Sequence, residues 1–506
     1  MANKIDSNIT GLAIAEEASL KTLPTTPVWY EVEPNSYPDF GADITTVARA
    51  TINPSRQSKK GVVVDLDASG GFSMDATNET MKRMEQGFFF ADAHEKPSTK
   101  PLNGAAIPLT AVDGTGMDYE AASGLGVFKV GHLVKASGFG VAANNGLKRV
   151  TTVAAGSLTV AETLAAEAAP PATAQLETVG FQGSAGDINV VVSASAVTLT
   201  STALDFTTLG LSVGEFVFVG GDATATHFVN NAPGYARIKS IAANALAFDY
   251  TSWVPASETG TALTIQLFFG AFIRNEKTAS LIKRRSYQLE RQLGNDGVGV
   301  QSEVLVGSIP NEMTVSMPLA EKITVDMSFV SLDHEMRTGT DGLKAGTRVP
   351  AAIEDIYNTT SNLVAARMYL AGTLNPTPLF AYLQELTITV NNNVSPNKAL
   401  AVLGGFDASV GNFDVSGSVT AYFANVAAVA AVRNNSDVGL NVIAANDNRG
   451  FVFDMPLVSL GGGRLAVEKD SPINIQLDAN AAECEAGYTL STTNFSYLPD
   501  VGMANT

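Results

Sequence analysis

The residues best suited to chemistry are few. Four histidines, His94, His132, His227 and His334, are scattered along the chain, and no two stand at a spacing that would place both imidazoles on one metal ion. Each reads as a surface or loop histidine; His132 aligns with Glu215 in a repeat described below, which favours an interchangeable exposed position. The single cysteine, Cys484, lies between Glu483 and Glu485, whose charges would raise a thiol pKa rather than lower it. Asp65-x-Asp67-x-Ser69-Gly70 imitates the start of a calcium loop, but Ala76 stands where the closing bidentate acid should be. With Val63 and Leu66 nearby, the same residues fit an alternating strand. Gly461-Gly462-Gly463 lacks the following Lys-Ser/Thr of a phosphate-binding loop and reads as a hairpin turn. No nucleophile elbow on a strand-to-helix turn is expected. The reading is therefore a non-enzyme, with no catalytic, cofactor-binding or metal-ligating residue.

The local basic clusters are Arg56, Lys59 and Lys60, and Lys283, Arg284 and Arg285. The chain is otherwise acidic, with 50 Asp+Glu against 32 Lys+Arg and a net charge of −18, so these clusters are expected to meet acidic patches on neighbouring subunits. That balance lacks the basic footprint of a nucleic-acid reader. It suits a channel through which DNA slides without sticking. Hydrophobic residues make up 45%, enough for real cores, but charged residues only 16%, so Ser, Thr, Asn and Gly must supply much of the polar surface. Uncharged polar groups cost less to bury than ions, which favours extensive subunit contact. One cysteine excludes an intramolecular disulfide. No segment is apolar for long enough to span a bilayer, and the N-terminal residues lack a signal-peptide core. The chain reads as made in a reducing cytoplasm.

The 506 residues suggest roughly three or four domains. Residues 1 to about 28 read as an extended N-terminal arm. Residues 44–52 and 61–67 are strand-like, and Thr77–Ala91 changes to a helical period with Met81, Met84, Phe88 and Phe89 on one face. Thr77 or Asn78 could cap that helix. Residues 103–182 and 183–271 look like two copies of one small β module: Gly146-Leu147-Lys148-Arg149-Val150 aligns with Gly234-Tyr235-Ala236-Arg237-Ile238, with further matches on either side. Met313–Met317, Ile323–Phe329, Leu386–Val390, Asn412–Phe423, Gly450–Pro456 and Ile473–Leu477 are strand signals; Leu363–Leu370 and Ala424–Val432 read as short helices. Asp67-x-Ser69-Gly70 and Asp414-x-Ser416-Gly417 each precede a helical run, a second, weaker duplication.

Three segments then carry a resemblance: Arg285–Gln292 followed by Val304–Met313, Phe413–Phe423, and Gly450–Pro456. Together they resemble the strands of siphophage tail tube (major tail) proteins over roughly residues 25–100 and 272–500. The segment 103–271 resembles immunoglobulin-like β modules that decorate phage tails. The resemblance implies a mainly β fold: two tail-tube-type β-barrel or sandwich units with short helices, plus two small inserted β modules. Residues 1–102 and 272–340 would form the first unit and 341–506 the second. It also implies a virion protein that assembles with itself into stacked rings, three chains imitating a hexamer. Tail terminator, tape measure and tail tip proteins would be its partners, with DNA passing non-specifically through the lumen and no membrane insertion. The competing reading is an adhesin binding host glycans through the repeat modules. It calls for exposed aromatic platforms, and aromatics are 8% of the chain, with only two tryptophans, Trp29 and Trp253.

Overall fold

The computed structural model describes residue 5 and residues 9–504, except 296, 298, 381, 424, 425 and 468. The fold is mainly β, with two α-helices among the described residues. The chain divides into two units: Met1–Phe90, Ile282–Ile356 and Glu385–Ser418, and Ala91–Leu281, Tyr357–Gln384 and Val419–Thr506.

The first unit contains β1 (Gly11–Glu16), β2 (Gly41–Arg49), β3 (Lys59–Asp75), α1 (Asn78–Phe89), β4 (Tyr287–Asn295), β5 (Val300–Met317), β6 (Thr324–Ser331) and β7 (Asp333–Gly339). β4 is flanked by β1 and by the first half of β5, whose other side takes β7. The second half of β5 pairs with β6, β6 with β3, and β3 with β2 as a long ribbon. Strand alternation puts Phe72, Met74, Met313, Val315, Val325, Met327 and Phe329 inside. α1 lays Met81, Met84 and Phe88 on this layer, with the Phe88 ring 5.5 Å from Phe329. Each such side chain contributes roughly 1.5–3 kcal/mol on burial. Thr77 is the N-cap residue but makes no side-chain cap, and the helix stops at Phe90, where φ is 48°. Part of the expected arm is instead structural. Residues 11–16 form β1, with Leu12, Ala13, Ile14 and Ala15 all buried, because an apolar run beside the open edge of β4 buries more surface as a strand. Residues 1–4 and 6–8 lie outside the described residues.

The same arrangement recurs later in the chain as β8 (Leu363–Leu370), β9 (Leu383–Asn391), β10 (Asp414–Tyr422), α2 (Ala427–Arg433), β11 (Val438–Asn446), β12 (Arg449–Ala466), β13 (Asn474–Ala481) and β14 (Ser491–Phe495). β11, β12 and β13 have 9, 18 and 8 residues, the lengths of β4, β5 and β6. β8 flanks β11 as β1 flanks β4, and β14 lies on the first half of β12 as β7 lies on that of β5. The bond from Ala76 N–H to the Ile323 carbonyl is matched by one from Phe423 N–H to the Ile473 carbonyl. Asp67-x-Ser69-Gly70 and Asp414-x-Ser416-Gly417 stand equally far ahead of these bonds, so the short motif marks a duplicated strand. Two expectations change here. Leu363–Leu370 is a strand: its Ala-Ala-Arg-Met centre favours a helix only weakly, and pairing along β11 outweighs that. Gly461–Gly463 is a bulge inside β12, with Gly462 and Gly463 at φ 74° and 85°, and the strand continues beyond it. α2 begins at Ala427; residues 424 and 425 of the expected helix lie outside the described residues.

In the second unit, a separate twelve-stranded sheet spans residues 109–268. From one edge its strands run 189–192, 197–200, 245–251, 234–242, 216–219 and 266–268; from the other, 109–113, 118–121, 157–160, 146–153, 132–137 and 175–182. Both halves follow the same order, and they join where Gly180 lies opposite Phe268. Each half has its own core: Tyr119, Val134, Val150, Leu158 and Leu176 in one, Phe206, Val217, Ile238, Phe248 and Leu267 in the other. A third cluster joins Phe216, Tyr235 and Tyr250 to Tyr369, Ile443, Val452 and Phe495 of the strands around β11 and β12.

Candidate assembly surface

Two features of the first unit reach outward. The β2–β3 ribbon is exposed along most of its length, and Ile44, Val47, Ile52, Val62, Val63 and Val64 are each at least 49% exposed. Six large apolar groups on a two-stranded ribbon form a patch of the kind that marks a contact surface. Arg56, Lys59 and Lys60 sit at its tip, exposed and in no ion pair among the described residues. A second hairpin, Ser395–Lys398 with Gly405–Ser409, carries exposed Leu400, Leu403 and Phe406. Lys398 of that hairpin is held by both Asp65 and Asp67. Hydrogen bonding to Lys398 lowers the Asp65 pKa, while the two carboxylates raise that of Lys398. The Asp65–Gly70 segment is thus a strand whose acids anchor a neighbouring hairpin. Sequence could have signalled the ribbon only through its excess of apolar residues on both strand faces.

The second basic cluster behaves differently. Arg285 is buried and pairs with Glu16, and Arg284 pairs with Asp407. Both charges are satisfied within the unit by acids far away in sequence, which corrects the expectation that they face other subunits.

The histidines also depart from a surface reading. His132 is 1% exposed, and its Nδ1 accepts the Lys129 N–H and faces the Thr178 hydroxyl. Burial, with help from the Lys129 charge, pushes its pKa down to about 4. Glu215 is equally buried; it accepts the Ser212 N–H three residues back and pairs with Lys96. Burial raises the Glu215 pKa against the pull of Lys96. The two aligned positions share a turn-capping role, so they are interchangeable inside the protein and not on its surface. His334 pairs with Glu303, and the His227 ring meets the Gly221 carbonyl oxygen.

Against the expectation of no such motif, Gly210-Leu211-Ser212-Val213-Gly214 carries the letters of a nucleophile elbow. Ser212 Oγ lies 3.4 Å from His94 Nδ1, and His94 Nε2 lies 3.0 Å from Glu276. The context is nevertheless that of a fastening. Ser212 follows a 3₁₀ turn and not a strand-to-helix turn, the Ser212–His94 contact is at the outer limit of a hydrogen bond, and Glu276 also binds Arg274. Cys484 sits in a loop, its N–H bonded to the Tyr488 carbonyl. No group of three or more His, Cys, Asp or Glu residues suited to a metal ion occurs among the described residues. No helix among them is long and apolar enough to cross a membrane. Trp29 and Trp253 are both buried.

Duplicated strand sets, a protruding apolar ribbon and polar clusters spent on internal fastening describe a building block. The sequence model of the phage tail tube proteins matches residues 7–210 and 179–481. The chain belongs to the phage tail tube protein family. Two matches, overlapping at residues 179–210, agree with two tail-tube-type units in one polypeptide. No curated protein matches the chain. Membership gives it a structural role in the tail of a phage particle.

Proposed function

We propose that this tail tube protein assembles with itself into rings that stack into the conduit for DNA ejection, and that its role there is structural and not catalytic. The observation that carries this is the exposed β2–β3 ribbon, whose apolar flanks and basic tip have no partner within the first unit among the described residues. A net charge of −18 suits a lumen that must let phosphates pass. The tube-forming part comprises residues 1–102 with 272–340, and residues 341–506; modules 103–182 and 183–271 are inserted between them and decorate the outer wall. The common strand order of the modules and the shared role of His132 and Glu215 support their reading as two copies. Three chains, each with two units, make a pseudo-sixfold ring, and contacts along the axis are open-ended, so they grow a filament. Terminator, tape measure and tail tip proteins set its ends and length. The protein is made in the cytoplasm of the bacterial host.

Negative-stain microscopy of the purified protein tests this. Rings or tubes are the expected outcome, and ring mass should correspond to three chains. Discrete monomers that bind glycans would sink the reading in favour of an adhesin. Lys59→Glu with Lys60→Glu should leave rings intact but impair stacking; normal tubes would remove the basic tip from the account.

A further inference from the structure

The second half of β5 is covered on both edges within the first unit. β6 lies on one side and β9 on the other, so that Met313 stands opposite both Met327 and Val390. β12 repeats β5, and β13 repeats β6 along it, with Gly461 opposite Asp478 and Leu465 opposite Ile475. The other edge of β12, from Gly461 onward, has no strand in register with it among the described residues. The missing neighbour is the counterpart of β9.

Chain order identifies that counterpart. β9 precedes β10 as β2 precedes β3. Leu386-Thr387-Ile388-Thr389-Val390 then corresponds to Phe40-Gly41-Ala42-Asp43-Ile44, with apolar or small residues at the same alternate positions. Leu386, Ile388 and Val390 are buried against β5, whereas Ile44 is 58% exposed. β2 pairs with β3 on one edge, and no strand is in register with its other edge among the described residues.

We infer that β2 of a second copy of this chain lies antiparallel along Gly461–Val467, in the register that β9 takes on β5. The inference rests on the tube reading and names the strand and register of the lateral contact. Transferred residue by residue, Ile44 faces Gly462, Ala42 faces Leu465 and Asp43 meets the bulge at Gly463-Arg464. The corresponding pair within the chain is Thr314 and Thr389, whose hydroxyls are 3.1 Å apart. Between chains it becomes Asp43 and Arg464, opposite charges that are exposed and form no ion pair among the described residues. Leu465, exposed in the single chain, gains apolar cover from Ala42. The glycine bulge acquires a purpose: positive φ at Gly462 and Gly463 admits the extra residue that aims Arg464 at its partner.

Paired cysteines test the register. In a Cys484→Ser background, Asp43→Cys and Arg464→Cys are combined, and assembled protein is oxidised and run under non-reducing, denaturing conditions. Opposed strand residues are about 4.5–5.5 Å apart at Cα, within disulfide range, so a ladder of covalent multimers is expected. Independently, Asp43→Arg or Arg464→Asp alone should lower tube yield about tenfold, and the two together should restore it. Unchanged monomer unfolding in each variant shows that folding is intact. Tubes that form without the ladder, or with a link confined to one chain, overturn this register and leave the tube reading standing. A wild-type protein that forms neither rings nor tubes overturns both.

Discussion

Beside the apolar cluster that joins the twelve-stranded sheet to the strands around β12 lies one buried charge cluster, and its removal has a calculable cost. Arg237, on strand Gly234–Ala242, donates from Nε to Asp249 at 2.9 Å and from Nη1 to Asp454 of β12 at 3.1 Å. The Asp454 side chain is 1% exposed, and burial lifts its pKa to about 6 against the opposing pull of Arg237. Arg237→Met leaves that carboxylate buried without its guanidinium, a loss of about 3–5 kcal/mol near neutral pH. The sign of the pH dependence follows. With a folded pKa above the unfolded one, Asp454 stabilises least when ionised, so its contribution falls as pH rises from about 4 to about 6 in the wild type. Without Arg237 the folded pKa climbs further and the window extends to higher pH. The variant should therefore be least stable relative to wild type above neutrality and recover part of the loss near pH 5. Arg237→Met with Asp454→Leu removes both charges and refills the volume, and should lie within about 1–2 kcal/mol of wild type. Asp249, with its side chain 37% exposed, stays solvated in that variant. Urea unfolding followed by Trp253 fluorescence in a Trp29→Phe background reads the second unit alone, since Trp253 is buried there. A single variant within about 1 kcal/mol of wild type, or a double variant costing the sum of the singles, would refute the reasoning.

Phe329 stands among Phe72, Phe88 and Tyr287 at ring separations of 6.1, 5.5 and 6.3 Å, so Phe329→Ala should cost the first unit about 3–5 kcal/mol, read by Trp29 fluorescence in a Trp253→Phe background. His132 has a folded pKa of about 4, below its unfolded value, so the unfolded chain takes the proton first on acidification. Its stabilisation, up to about 3 kcal/mol, is complete above pH ~6.5 and lost as pH falls toward 4; His132→Gln should flatten that part of the stability profile measured by urea midpoints. Ser212 should resist a fluorophosphonate probe at pH 8 as fully as Ser212→Ala does; labelling abolished by that substitution would establish a reactive serine and overturn the non-catalytic reading.

Sequence made the local elements legible wherever periodicity was strong. The Met81–Phe88 spacing announced α1, and alternation announced β3, β5 and β6. It failed where tertiary contact decides between near-equal choices, as for Leu363–Leu370, whose alanines suit a helix until β11 lies alongside. It failed again for burial. His132 and Glu215 align correctly, but nothing in a polar residue type tells that it caps a turn from within. Arg284 and Arg285 looked free because Asp407 and Glu16 are remote in sequence. The ribbon tip at Arg56, Lys59 and Lys60 was legible because a run of basic residues between two strands leaves the charges few places to go except solvent.

The pairing of β9 with β5 has one more consequence. Both strands belong to one polypeptide, so that seam closes at an effective concentration fixed by the connecting chain and takes no account of how much protein is present. Dilution can dismantle only contacts between chains. If rings form through the inferred contact of β2 with β12, a subunit built this way arrives at assembly with one of its two kinds of lateral seam already made, and the search for partners reduces to the other.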